Sequence, residues 1–284
     1  MLIKILIYGG LGNQLFQFAF GESLKITYKN LEVKYIDLTK FAPTKRMWEL
    51  GFLKINPHRI SKREIITIFF RRIINAQLNK FSSKFLYFGI INDNQYEYIN
   101  EYLNRGRSFI IDGYWQSEEY FLKHKVDIKN ILNINSKPLS NKEKRKFKKV
   151  AVHIRLGDYI NSKQGRDNHL VCDINWYKKA INHLKDYDRE LLFTIFSDNK
   201  ELVKNQFKNY SNLEINQSDY SKNAYEDLYE MATFDHFIIS NSSYSWWASY
   251  LGEKENSIII APKYWYKDKK TKEMPLFRKN WTLL

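Results

Sequence analysis

Residues 150–160 read VAVHIRLGDYI. Within six positions this stretch offers an imidazole (His153), a guanidinium (Arg155) and a carboxylate (Asp158). A guanidinium holds a phosphate in a two-pronged fork. An imidazole orients a ligand or handles a proton, and a carboxylate can act as a base. The apolar residues before them predict a buried strand, and a strand needs none of these groups to fold. Burying their charge is costly unless a partner compensates. Charged groups at a strand's end therefore point to an anionic ligand; the competing reading is a structural Arg155–Asp158 ion pair.

Three further clusters fall at predicted strand ends. GGLGNQ, residues 9–14, lets backbone approach a ligand closely and aims helix N–H groups outward. It lacks the Lys of a P-loop and the spacing of a dinucleotide fingerprint. FSDN presents Ser197, Asp198 and Asn199. SNSSYSWW presents Ser240, Asn241, Ser242, Ser243 and Ser245 before an apolar helix, where one residue would suffice as a cap. The surplus suits phosphate oxygens. In parallel sheets ligands sit beyond the C-terminal strand ends, which is where these clusters are expected. Asp112, Tyr114, Trp115 and Gln116 follow another apolar run. Rings beside polar groups suit a sugar, and equally an ordinary aromatic cluster.

The elements that must position these residues alternate. MLIKILIYGG and the following Leu15, Phe16, Ala19, Phe20 and Leu24 read as strand, glycine turn and helix. LEVKYID, 31–37, is a second strand. HRISKREIITIFFRRIINAQLNK, 58–80, is a basic, apolar helix. Its first reading is a packed helix with a solvated basic edge; the sharper one is a membrane-surface helix. NSKPLSNKEKRKFKK, 135–149, is polar and basic and marks a domain boundary. Beyond it strands and helices alternate again, which predicts an α/β protein with parallel sheets covered on both faces.

The 284 residues include 44% hydrophobic ones, ample for two cores and unlike a disordered chain. One cysteine, Cys172, excludes an internal disulfide and a multi-cysteine zinc site. The six histidines are scattered and no D-x-D stands at a strand end, so no metal site is expected. The apolar start is too short for a signal h-region, and no run approaches a membrane span. A cytoplasmic protein is expected. The net charge of +15 fits nucleic acid, an anionic membrane or a phosphate-bearing ligand. The lysines are spread along the chain rather than set in a stripe with stacking aromatics, which argues against nucleic acid.

YGGLGNQLFQFAFG, VHIRLGDY, FSDN and DLYEMATFDHFIISNSSYSWWASYLG, in that order, closely resemble the bacterial α-1,2-fucosyltransferases of glycosyltransferase family 11. The resemblance covers about residues 5 to 265. It implies a glycosyltransferase B-type fold: two Rossmann-like domains facing a cleft. Residues 1–140 would form the acceptor side and 141–284 the GDP-fucose domain. It implies inverting transfer of L-fucose from GDP-β-L-fucose to the 2-hydroxyl of a terminal galactose, without metal or other cofactor. The setting would be surface polysaccharide (O-antigen) synthesis on a lipid-linked oligosaccharide, with the enzyme peripheral on the inner membrane face. The rivals are another nucleotide sugar on the same fold and, remotely, nucleic-acid binding.

Residue by residue, the resemblance implies that Arg155 grips the β-phosphate and stabilises the departing GDP. His153 would lie near the nucleoside, and Asp158 is the nearest base by motif. Ser197, Asp198 and Asn199 would face guanine. Asp227, Asn241, Ser242, Ser243 and Ser245 would complete the donor pocket. Gly10, Gly12, Asn13 and Gln14 would close over the donor. Asp112, Tyr114, Trp115, Gln116 and His169 are acceptor-side candidates. Two departures stand out. Leu156 occupies the place where related enzymes carry a second Arg, and Asn199 the place of a second Asp.

Overall fold

The computed structural model describes residues 1–41, 46–78, 89–104, 106–132, 147–156, 163, 167, 171–217, 224–267 and 276–284. Asp158, His169 and the expected boundary after residue 140 lie outside the described residues. The chain forms two compact units, Met1–Leu132 and Asn133–Leu284. Each is a Rossmann-like α/β unit with an all-parallel sheet, as the expected class requires.

The first unit has four strands: β1 (Leu2–Ile7), β2 (Glu32–Asp37), β3 (Ile90–Ile91) and β4 (Phe109–Ile111), in the order β2-β1-β4-β3. Helix α1 (Leu11–Thr27) follows the glycine turn and is buried along most of its length. Its Phe16, Phe18 and Phe20 are fully buried, and this apolar bulk explains why so short a sheet holds. A Cβ on Gly21 would lie 2.6 Å from both Ile5 and Tyr35, so glycine is what lets α1 lie this close to the sheet. Helix α2 (Lys62–Leu78) buries Ile68 among Leu6, Ile36, Leu38, Ile90 and Ile110. The short α3 (Ile99–Asn104) and α4 (Lys125–Leu132) complete this unit.

The second unit has six parallel strands: β5 (Lys148–Ile154), β6 (Leu191–Ser197), β7 (Leu213–Ile215), β8 (His236–Ile238), β9 (Ile259–Ala261) and β10 (Thr282–Leu283). Their order is β10-β9-β8-β5-β6-β7. Helices α5 (Ile174–Tyr187), α6 (Lys200–Phe207), α7 (Ala224–Met231) and α8 (Ser243–Gly252) connect them. Asp173 caps α5, its carboxylate accepting from Trp176 N at 2.7 Å. The core joins Val150, Val152 and Ile154 to Ile181, Leu184, Phe193, Ile195, Ile238 and Ile260. Cys172 is buried in the same core, and burial pushes its thiol well above the usual range.

From β5 the chain runs outward to β6 and β7, then returns to β8 on the other side of β5 and runs out to β10. The β5/β8 boundary is therefore a topological switch point. In a parallel sheet such a point, at the strands' C-terminal ends, is where a ligand site is expected.

Candidate functional site

The candidate site of the second unit is built from the ends of β5, β6 and β8. His153, the penultimate residue of β5, is buried. Its Nδ1 lies 3.0 Å from Ser240 Oγ, two residues beyond β8. Ser240 Oγ lies 3.4 Å from Ser245 Oγ on α8, and the Tyr244 ring packs 5.4 Å from the imidazole. Burial, and after it the neighbouring Arg155 guanidinium, pull the His153 imidazole down to about 3. That shift favours a neutral, hydrogen-bonding ring at ordinary pH.

Arg155 is the first residue beyond β5 and is partly exposed at the same edge. Strand alternation sends the next residue inward: Leu156 belongs to the hydrophobic core. A second arginine there would need a buried charge, so Arg155 is the arginine this turn can present.

The FSDN segment has a structural share. Asp198 Oδ1 accepts from Leu156 N at 3.0 Å, tying the β6 end to the turn that carries Arg155. Ser197 Oγ accepts from Asn199 N at 3.1 Å, and Asn199 Oδ1 caps α6 through Leu202 N at 3.2 Å. Asp198 and Asn199 remain exposed. In the serine turn, Asn241 Nδ2 donates to Trp265 O at 2.9 Å, and Ser245 Oγ donates to Ser242 O at 3.2 Å. Ser242 makes no side-chain cap bond to α8, and Ser243 is only partly buried. The N-terminus of α8, with its serine hydroxyls, thus stands at the same sheet edge as His153. Asp227 is buried in the first turn of α7.

Of the expected cluster, the structure brings His153, Arg155, Ser197, Asp198, Asn199 and the Ser240–Ser245 turn to one sheet edge. The glycine turn belongs to the other unit. There Gly9 adopts φ +83°, and Gly10 begins α1 without a side-chain cap. Gln14 is fully buried: Nε2 donates to Gly9 O (2.9 Å) and Met47 O (2.8 Å), and Oε1 accepts from Glu49 N (2.9 Å). Its amide builds the turn. Gly12 is buried with it, while Asn13 Oδ1 accepts from Gln116 Nε2 at 2.7 Å.

Beside this turn, the end of β4 carries the sugar-type cluster. Asp112 accepts from Tyr8 OH at 3.1 Å and from Arg72 Nε at 2.8 Å. The Arg72 guanidinium also stands 5.4 Å over the Tyr8 ring. A groove of about 370 Å³ opens here, lined by Phe69, Arg72, Ile73, Asn75, Asn92 and Asp112 among others. Asn75 is buried, and its Oδ1 has no hydrogen-bond partner among the described residues. Tyr114 is exposed at the rim, edge-on to Tyr8 at 5.0 Å.

Trp115 corrects an expectation. It is fully buried, stacked on Phe20 at 4.3 Å, and offers no face to a sugar. Asp93 Oδ2 accepts from Tyr114 N (3.1 Å) and Trp115 N (2.9 Å), holding the φ +54° backbone that turns the indole inward. Arg72, Tyr8 and Asp93 were not foreseen as neighbours of Asp112. Arg72 stands 40 positions before it, and only the sheet order joins them.

Three relatives are similar to this chain in sequence. An α-1,2-colitosyltransferase of Escherichia coli is 33% identical over 271 residues, covering 91% of this chain and 90% of the relative. The O-antigen biosynthesis glycosyltransferase WbnK of Escherichia coli is 28% identical over 282 residues, covering 91% and 93%. A galactoside 2-α-L-fucosyltransferase of Caenorhabditis elegans is 27% identical over 172 residues, covering 54% and 46%. The model of glycosyl transferase family 11 matches residues 2–284, and the chain belongs to that family.

Proposed function

We propose that the protein transfers L-fucose from GDP-β-L-fucose, with inversion, to the 2-hydroxyl of a terminal galactose, in O-antigen synthesis. The observation that carries the reading is Arg155 at a topological switch point, beside the neutral His153–Ser240 pair and the N-terminus of α8. That is where a nucleotide diphosphate would bind. The acceptor oxygen attacks the anomeric carbon, the bond to the β-phosphate oxygen breaks, and GDP departs. Arg155 balances the charge that grows on the leaving group. A weak base suffices when the sugar carries positive charge in the transition state. The base assigned by motif is Asp158. The groove around Asp112 and Arg72, with Tyr114 at its rim, supplies the polar and aromatic surface for the acceptor sugar.

The 33% identical colitosyltransferase favours a second reading of the donor. Colitose is L-fucose without its 3-hydroxyl, so one hydrogen bond in the pocket separates the two. A site built to bond that hydroxyl rejects the sugar lacking it strongly, whereas a merely apolar site discriminates poorly.

The test is transfer to lactose and N-acetyllactosamine from GDP-fucose and GDP-colitose in parallel, with EDTA, for wild type and Arg155→Ala. Fucosylated product, lowered by a factor of about 100 or more in the variant, is expected. Preference for GDP-colitose would replace the donor and leave the site standing. Equal rates in wild type and variant would overturn the phosphate site.

A further inference from the structure

Helix α2 carries three of its apolar residues on the wrong side for a helix that is merely packed. Its buried stripe is Ile68 and Asn75. Counted at 3.6 residues per turn, Ile66, Phe70 and Ile73 stand on the opposite side, and they are 69%, 62% and 58% exposed. Lys62 and Arg63 flank this row on the same outer side, and both are exposed. The row does not end with the helix. Phe41 meets Phe69 at 5.7 Å between ring centroids and is 53% exposed.

Four large apolar side chains, Phe41, Ile66, Phe70 and Ile73, thus share one open region of the first unit. Monomeric proteins seldom leave such a patch uncovered without a use for it. Its surroundings name the use. The described residues from Lys40 to Leu78 contain eight cations, Lys40, Arg46, Lys54, Arg59, Lys62, Arg63, Arg71 and Arg72, against two carboxylates, Glu49 and Glu64. Glu64 is held by Lys4 at 3.0 Å, and Arg72 is paired with Asp112. A protein partner with an ordinary mixed surface has no need of this imbalance. An anionic bilayer does: its headgroups take the cations while the apolar row enters the interface.

We propose that α2, with Phe41 beside it, docks the protein on an anionic lipid surface. Ile73 belongs both to the apolar row and to the groove with Arg72 and Asp112. Docking therefore sets that groove at the headgroup level, where a lipid-borne acceptor would present its sugar. The docking itself does not depend on which sugar is transferred.

The experiment is co-sedimentation of the full chain with vesicles of phosphatidylcholine, with and without about 30% phosphatidylglycerol. The variants are Ile66→Ser/Phe70→Ser and Lys62→Gln/Arg63→Gln, both on exposed positions, with circular dichroism and sedimentation velocity on each. Binding to the anionic vesicles is expected, lowered about tenfold or more in the apolar variant and severalfold in the charge variant. Binding that is absent in wild type, or equal in the variants, overturns the proposal. So does a wild-type dimer that the apolar variant makes monomeric while vesicles bind neither, which would assign the row to a second copy of the chain.

Discussion

His153 shows how a titratable group becomes useful by not titrating. With its imidazole pulled from 6.5 to about 3, the folded state leaves it neutral while the unfolded chain protonates near 6.5. The unfolded state then binds more protons between those values, so stability falls as pH drops through that window, by up to about 1.4 kcal/mol per unit. His153→Gln is expected to flatten the acid side of a Tm-against-pH curve between pH 6.5 and 4. A curve with unchanged slope would mean that the ring is not the group responsible. Transfer activity should carry no titration of this ring between pH 6 and 8. Ser240→Ala leaves Nδ1 short of its partner in a buried site and is expected to destabilise by about 1–3 kcal/mol, read from urea unfolding. On the other unit, Asp112 has little solvent and depends on Arg72. Arg72→Ala should raise the acceptor KM well above any change in donor KM, and Arg72→Lys should restore part of it.

At the scale of elements, the turn after β4 is tighter than any turn motif announces. A Cβ on Gly113 would fall 1.3 Å from Asp93 Oδ1, so Gly113→Ala must push Asp93 off the N–H groups of Tyr114 and Trp115. The expected outcome is a loss of about 2–4 kcal/mol, with near-ultraviolet dichroism reporting a displaced Trp115. An unperturbed spectrum would show that the turn relaxes elsewhere. The same turn marks the limit of what the chain's letters disclose. Apolar runs with helical or strand spacing announced β1, α1, β5, β6 and α8, because periodicity is a local property. The three serine-, aspartate- and histidine-bearing clusters of the second unit were legible for the same reason: each stands at the end of a readable strand. Trp115 was misjudged because its direction depends on Asp93, 22 positions away. The apolar residues of α2 were legible as a helix, but spacing alone left the packed and the membrane-surface readings both open, since burial belongs to what packs against an element and not to the element itself.

At the scale of the whole molecule, +15 charges over 284 residues act together at long range. Encounter with a phosphorylated donor should therefore weaken with salt, the donor KM rising severalfold between about 0.05 and 0.5 M as screening shortens to a few Å. A KM indifferent to salt would confine the charge to other partners. Among the described residues no helix is long and apolar enough to cross a membrane. The lone Cys172 adds a practical consequence. Its sulfur is buried in the second unit's core and burial raises its thiol above the usual range, so the folded chain is expected to react slowly with thiol reagents. A single cysteine placed anywhere on the surface would be the sole exposed point of attachment for a fluorophore or spin label, with little background to remove. The protein thus comes ready for site-by-site depth measurements along α2.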